Sequence, residues 1–387
     1  MKTTAYSQTR IKQFRRCQKQ YSYRHDYAQY YGPNANGKVD GLEMIPVRKK
    51  LPLYRGSWMH ALQEALHYQW AGVEEWQFEF GEGKQKLVEM VSSWQDVQEI
   101  LVEQFEGLFE EEQDDLGDLP EETERMFKAY LRFWKEDRDR YEVATLPTGE
   151  PAVEFIVQCP LDKFGFQHSP GVFKGRLDLV VEDSEYDGLW IWDAKWVRSI
   201  PPPDERMMSP QALLYVWALR ETYDMDVRGF VFNYGRTKAP VIPRVLQRPY
   251  GMLSLASKMD TDYSTYLRTI KSNHGDNWKK YLDYYIPKLK DLQGREALWF
   301  DRARIPVEEN RQLAAVREYI TTVNDIQSRE TRREYVPRSY FYSCKFNCDY
   351  HDLCTAEFQG LEIAPLIKAN FTFDTDRYTG EADLLSG

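Results

Sequence analysis

Charged residues interrupt two apolar runs between Gly171 and Trp196, and these are the residues best suited to chemistry. The runs flank an acidic, glycine-containing turn, a pattern that predicts a β-hairpin. Because side chains alternate across a strand, Asp193 and Lys195 are expected to share one face of the second strand. Asp178 breaks the apolar run of the first strand, where an unpaired buried charge would be costly.

Such a hairpin suits phosphodiester hydrolysis. Two acids on paired strands can hold a hard divalent cation through oxygen ligands, and a neighbouring lysine can position or deprotonate a water molecule. The alternative is a structural hairpin in which Lys195 only neutralises Asp193. The pattern of the hairpin alone leaves both interpretations open.

Other elements must position the hairpin. Residues 56–67 predict the start of a helix that carries His60, although a single helical histidine is more often packed or solvated than a metal ligand. Residues 152–158 predict the first core strand. Glu154 within it could be a catalytic neighbour or an ordinary edge-strand charge, and the second is expected.

The residues after the hairpin predict a helix and a further strand. Ser209 and Pro210 supply an N-cap and a first helical position, and Gln211 and Tyr215 then share one helix face. Residues 229–234 predict the next strand. The order strand, hairpin, helix, strand predicts a mixed α/β core.

Residues 73–141 are expected to form a helical lobe inserted before the sheet, and residues 238–335 a second helical region. The predicted division of the chain has five parts. They are an N-terminal helix with the histidine motif (1–60), an inserted helical lobe (61–150), the α/β core (151–240), a second helical region (241–335) and a cysteine-rich segment with a tail (336–387).

Composition predicts a globular, cytoplasmic protein. The chain has 387 residues of which 42% are hydrophobic, enough for a sizeable core. It lacks the run of about eighteen apolar residues that a membrane span needs. The net charge of −10 argues against binding nucleic acid by bulk charge, but residues 1–24 hold seven basic residues and no acid. The four that are expected to contact phosphates are Arg10, Arg15, Arg16 and Lys19. They are expected to form one basic surface with Arg329, Arg332, Arg333 and Arg338 from the other end of the chain.

The cysteines are expected to be thiols or metal ligands, because five in a chain of this length do not make a disulfide scaffold. Cys344, Cys348 and Cys354 lie within eleven residues and need a fourth ligand. His351 would complete a compact zinc site, whereas an iron–sulfur cluster requires a fourth thiolate. Cys17 is expected on the apolar stripe of a basic first helix, and Cys159 is expected to be structural.

Taken in order, these motifs resemble the PD-(D/E)XK nucleases of the RecB, Cas4 and AddB type. The resemblance rests on G-x-x-x-H ending at His60, the G-x-x-D that ends at Asp178, the D-x-K of Asp193 and Lys195, Q-x-x-x-Y, and Cys17 with the C-terminal C-x₃-C-x₅-C. Two departures are an aspartate in D-x-K where many relatives have glutamate, and Gln18 after Cys17 where relatives often have proline.

The resemblance implies a restriction-endonuclease-like mixed-sheet core with inserted helical lobes and an iron–sulfur staple that joins the chain ends. It implies that Mg²⁺ or Mn²⁺ is held by His60, Asp178, Asp193 and the carbonyl of Ala194, while Lys195 assists the attacking water. Gln211 and Tyr215 would orient the site. A [4Fe–4S] cluster would be bound by Cys17, Cys344, Cys348 and Cys354.

The function implied by the resemblance is that of a metal-dependent DNA exonuclease acting on single strands or DNA ends, in recombination, repair or phage DNA metabolism. Its location would be the bacterial cytoplasm, or the host cytoplasm for a phage protein. One alternative is a DNA-end-binding or recruitment subunit that works with a helicase or an integrase. Another is an RNA nuclease, because nothing in the sequence reads the sugar.

Overall fold

The computed structural model describes residues 4–28, 43–47, 51–80, 87–164, 171–332 and 336–374. Its strands are β1 (Ala5–Tyr6), β2 (Glu43–Pro46), β3 (Trp76–Phe80), β4 (Leu87–Val91), β5 (Tyr141–Val143), β6 (Val153–Pro160), β7 (Val172–Asp183), β8 (Leu189–Val197), β9 (Val227–Arg236), β10 (Phe300–Pro306) and β11 (Phe371–Asp374).

The first α-helix lies in the basic N-terminal segment, and the last lies in the cysteine-rich segment 336–387. They are α1 (Gln8–Arg16), α2 (Gln18–Tyr21), α3 (Leu51–Trp70), α4 (Trp94–Glu106), α5 (Glu110–Leu116), α6 (Leu119–Phe133), α7 (Asp137–Arg140), α8 (Pro203–Met207), α9 (Pro210–Tyr223), α10 (Tyr263–His274), α11 (Leu282–Leu292), α12 (Glu309–Arg332), α13 (Cys344–Asn347), α14 (His351–Phe358) and α15 (Ala364–Asn370). No helix in the described part of the chain is both long and apolar enough to cross a membrane.

A seven-stranded mixed sheet lies at the centre, which confirms the mixed α/β prediction. Its main path runs β1-β7-β8-β9-β10, with β5 and β6 also paired to β7. The hairpin of β7 and β8 is antiparallel, whereas β8 and β9 are parallel. A parallel pair needs a crossover connection, and α9 makes it, starting at Pro210 as predicted and ending before the left-handed residue Asp224.

The two faces of the sheet bury different side chains, as the alternation of a strand requires. Ile191 and Phe230 belong to a core that also contains residues of α1, α9 and α12. Trp190 and Trp192 point to the other face and pack in a second core beside Tyr68 and Trp70 of α3. Asp193 and Lys195 therefore follow Ile191 on the face that α9 covers.

The inserted lobe is not wholly helical, and that prediction was wrong. β3 and β4 form an antiparallel hairpin within it, with Trp76 opposite Val91. The sequence W-Q-F-E-F alternates between buried and exposed side chains, which is a strand period rather than a helical one. The lobe's helices α4 and α6 pack against α3 in one hydrophobic core.

The second helical region also contributes a strand. β10 pairs with β9 along its whole length, so residues 300–306 complete the sheet. Three of these seven residues are charged, in the order D-R-A-R, and a search for hydrophobic alternation does not recognise such a strand. The five-part division remains a prediction; α3 continues across the expected boundary between residues 60 and 61.

The two ends of the chain lie against each other. Tyr319 on α12 donates a hydrogen bond to the carbonyl of Tyr6 (2.8 Å), and β2 pairs with β11. Cys17 lies where α1 ends, with an extended backbone (φ −159°, ψ 111°), and not on the helical stripe that was predicted. Because the helix breaks at this residue, the Cys17 side chain does not lie on the apolar stripe of α1.

Candidate active site

The β7–β8 hairpin and α3 bring the two predicted acids and His60 together. Leu179 pairs with Trp192, and Asp178 and Asp193 are the next residues of the two strands beyond this pair. The amide of Ala194 donates a hydrogen bond to Asp178 Oδ2 (2.7 Å). His60 Nε2 lies 3.2 Å from the same oxygen.

Asp193 is held from two sides. Its Oδ2 forms an ion pair with the ammonium of Lys195, and its Oδ1 accepts a hydrogen bond from Gln211 Nε2 (3.0 Å). The Asp193 side chain is 5% exposed, whereas that of Lys195 is 35% exposed. Lys195 therefore lies at the rim of the site with its charge directed inward.

Tyr215 lies on the core side of α9. Its ring packs in the core beside Phe173 and Phe230. A methyl group on Gly175 would lie 2.9 Å from the Tyr215 ring, so a glycine is needed where α9 crosses β7. The structure thus places the Tyr215 ring against the strand that carries Asp178, and its role in orienting the site stays a prediction.

Glu154 belongs to the site, and its expected role as an ordinary edge-strand charge was wrong. Its side chain is 2% exposed, with Oε1 at 3.6 Å from His60 Nε2. Its Oε2 accepts a hydrogen bond from Arg176 Nε (2.8 Å). The residue has φ +48°, a conformation that is rare outside glycine and concentrates at functional sites.

The buried acids and His60 shift one another's pKa values. Burial lowers the pKa of His60, but the carboxylates of Asp178 and Glu154 outweigh it and raise that pKa to about 10. Burial raises the pKa of Asp178, yet the neighbouring His60 lowers it to about 2. Burial raises the pKa of Glu154 to about 8 and, with Asp178 beside it, that of Asp193 to about 6.

The donor set fits a divalent cation of the magnesium or manganese type. One ligand atom from each of His60, Glu154 and Asp178 lies within 4.8 Å of the others. Buried Glu154 Oε1 accepts no hydrogen bond within the described residues. Carboxylate oxygens and an imidazole nitrogen are suitable ligands for these ions, and an added positive charge would relieve the crowding of buried acids.

The four cysteines expected to bind a cluster line one cavity of about 340 Å³. Cys17 comes from the break after α1, and Cys344, Cys348 and Cys354 come from α13 and α14. Burial raises the pKa of Cys348 to about 11. His351 lines the same cavity, while Cys159 is buried in the main core.

The basic residues near the chain ends do not form the open surface that was expected. Arg10 is buried and donates to Tyr21 Oη (2.8 Å), so it does not fit the prediction of a phosphate contact. Arg15 bonds Thr322, and Lys19 and Arg338 both pair with Glu357. Arg16 stays exposed. The side chains of Arg332 and Arg333, expected on the same surface, lie outside the described residues.

Sequence reasoning missed two residues of the site besides Glu154. Arg176 comes two positions before Asp178, and Glu64 comes one helical turn after His60; burial raises the pKa of Glu64. The signal that could have found them is the same in each case. A charged residue two positions from an expected metal ligand on a strand, or four positions from it on a helix, can lie near that ligand.

No curated protein matches the chain significantly. The sequence profile of the PD-(D/E)XK nuclease superfamily, however, matches residues 5–355, which is nearly the whole chain. Members of this superfamily are nucleases that use divalent metal ions. With the acids and the lysine of that superfamily gathered on one hairpin, the match over this length shows that the chain belongs to the PD-(D/E)XK nuclease superfamily.

Proposed function

We propose that the protein is a metal-dependent DNA exonuclease of the RecB and Cas4 type, acting in the cytoplasm on single strands or DNA ends. The observation that carries the proposal is the grouping of Asp178, Asp193 and Lys195 on one hairpin with His60 against them. A protein that had lost its activity would have no reason to keep such buried charges.

Each residue has a distinct task in this proposal. His60, Asp178 and Asp193, with the carbonyl of Ala194, would hold the cation, and Glu154 would offer a further carboxylate oxygen. When bound, Mg²⁺ or Mn²⁺ supplies a Lewis acid that polarises the phosphoryl oxygen. Lys195 holds the attacking water at the rim of the site and offsets charge on the phosphate. Gln211 fixes the Asp193 carboxylate so that its second oxygen stays directed at Lys195.

The test is hydrolysis of end-labelled oligonucleotides by the purified protein in Mn²⁺, with matched single-stranded DNA, duplex DNA and RNA. We expect shortening of DNA from an end by the wild type. Asp193→Ala and Lys195→Ala should each lower the rate at least about 100-fold, the usual scale for such groups, with an unchanged circular dichroism spectrum. Retained cleavage in either variant would contradict the assignment.

The cleavage products and the preferred substrate distinguish an exonuclease from the alternative functions. Internal cuts in a closed DNA circle would replace the exonuclease assignment with an endonuclease. Faster cleavage of RNA would make the protein a ribonuclease. A wild-type protein that binds DNA ends but cleaves nothing in Mn²⁺ or Mg²⁺ would be a binding or recruitment subunit.

We also propose that the four cysteines bind a [4Fe–4S] cluster. A tetrahedral zinc ion with Zn–S bonds of about 2.3 Å would hold its sulfur ligands about 3.8 Å apart. No three of the four sulfur atoms, all within described residues, lie within 4.8 Å of one another. Four thiolate donors spaced around a cavity of about 340 Å³ suit a larger polynuclear group.

The cluster would have a structural role, because its ligands join the first helical segment to the last. Cys348→Ala should lose iron, lose absorbance near about 400 nm and lower the melting temperature. Cys159→Ala is the matched control, since Cys159 lies in the main core away from the cavity, and it should keep its iron. Bound zinc in place of iron in the native protein would contradict the cofactor assignment.

A further inference from the structure

Arg176 lies at the rim of the active site with most of its guanidinium group unused. It precedes Asp178 by two residues on β7, a step of about 7 Å along the strand. The Arg176 side chain is 62% exposed. Its Nε donates to Glu154, and its two terminal nitrogens make no hydrogen bond within the described part of the chain.

Glu154 gives this arginine a fixed anchor. The Glu154 carboxylate is 2% exposed and lies between Arg176 and His60, at 2.8 Å from Arg176 Nε and 3.6 Å from His60 Nε2. Its backbone conformation, with φ +48°, directs the side chain into this position. Because Glu154 engages Nε, the terminal N–H groups of Arg176 remain as further donors.

A nucleic acid strand must approach this site against the charge of several buried acids. Three cationic groups among the described residues lie at the rim, and each has an acidic partner, which for Arg176 is Glu154. His60 is paired with Asp178, and Lys195 with Asp193. Arg176 is the most exposed of the three and still has terminal donors in the fork geometry that binds a phosphate through two parallel hydrogen bonds.

We propose that Arg176 binds the backbone phosphate next to the one that is cleaved, held in place for this by Glu154. The inference rests on the proposed nuclease function, because Asp178 marks the cleaved phosphate. The spacing of Arg176 from Asp178 along β7 is comparable to one nucleotide step of an extended strand. Arg176 is then a substrate-binding residue of the site.

The first experiment measures binding of a fluorescent single-stranded oligonucleotide by anisotropy in Ca²⁺, a hard cation that takes oxygen ligands. Arg176→Met should weaken binding about 10-fold or more, the scale of a charge-assisted hydrogen bond. The slope of log affinity against log salt should fall by about 0.7, as for one lost phosphate contact. Arg176→Lys should keep the slope but recover only part of the affinity, because one ammonium cannot serve both Glu154 and a phosphate.

Arg228→Met is the matched control. Arg228 is 56% exposed, pairs with a single acid, Asp226, at 3.5 Å, and lies on β9 about 20 Å along the strand from Tyr234, the residue that pairs with Lys195. Binding by Arg228→Met should stay within twofold of the wild type. An Arg176→Met protein that behaves in the same way would overturn the inference.

The second experiment identifies the phosphate. Oligonucleotides carry one neutral methylphosphonate linkage at the first, second or third position from the end. At one position the neutral linkage should weaken binding by the wild type as much as Arg176→Met does, and should not weaken Arg176→Met further. Equal effects on both proteins at all three positions would overturn the assignment to a neighbouring phosphate. A wild type that binds no DNA at all would instead contradict the proposed function.

Discussion

Arg302 and Asp137 form a buried ion pair whose removal has a calculable cost. Their side chains are 9% and 6% exposed, and Arg302 Nη1 donates to Asp137 Oδ1 (2.7 Å). The guanidinium carbon lies 3.6 Å from the ring centroid of Trp134 and 4.3 Å from that of Trp192. Asp137→Leu leaves this cation buried without its partner, which should lower the free energy of unfolding by about 3 to 5 kcal/mol.

Replacing both partners should cost less than the two single changes together. Arg302→Met also removes the donor to Asn233 Oδ1 (3.2 Å), worth about 1 to 3 kcal/mol for the acceptor left unsatisfied. The double variant contains neither charge of the pair. Its remaining cost is the unsatisfied Asn233 acceptor and the lost contact with Trp134 and Trp192. We expect a favourable coupling of at least about 3 kcal/mol between the two substitutions.

Urea unfolding followed by circular dichroism measures all four proteins of this cycle. Arg228→Met, which breaks an exposed pair, should leave the unfolding curve almost unchanged. A loss under about 1 kcal/mol for Asp137→Leu, or additive single effects, would refute the reasoning, because either result would mean that water reaches the pair.

Three other changes test the packing and the electrostatics. Gly229→Ala should destabilise the protein by about 1 to 3 kcal/mol in urea unfolding, because the new methyl group would lie 2.6 Å from the carbonyl oxygen of Ile305. Gly56→Ala should stabilise it by about 0.5 to 1 kcal/mol, since Gly56 lies within α3 with nothing within 4 Å of the added carbon; a loss in stability would contradict this. Two arginines depress the pKa of buried Asp183 below its ordinary 3.8, so its contribution to stability is present above pH 3.8 and lost as the pH falls through the depressed value. Asp183→Asn should therefore be less stable at pH 7 and lose less stability between pH 4 and 2, and parallel curves would exclude this role for Asp183.

The sheet could be predicted where strand residues alternate against turns. The hairpin of β7 and β8 and the start of α9 at Pro210 depend on neighbours within a few residues, which a sequence shows directly. β10 could not be found in this way. The charge of Arg302 is buried only because Asp137, 165 residues earlier, comes from the inserted lobe to pair with it.

The same limit applies to the candidate site. Asp178, Asp193 and Lys195 lie on adjacent strands, so their proximity follows from one hairpin. Glu154 faces His60 because α3 packs across the sheet, and no local pattern encodes that packing. The break at Cys17 was equally hidden, because a single extended residue between two helical segments leaves the apolar spacing of the sequence intact.

The contact between the chain ends has a consequence for biosynthesis. The first helical segment pairs with α12 and α14, about 300 residues later: Arg15 with Thr322, and Lys19 with Glu357. At translation rates of about 5 to 20 residues per second, Ile11 and Phe14 must wait roughly 15 to 60 s before their partners leave the ribosome. During that interval the apolar stripe of α1 lacks its contacts with α12. The protein can complete its fold only after α14 has been synthesised.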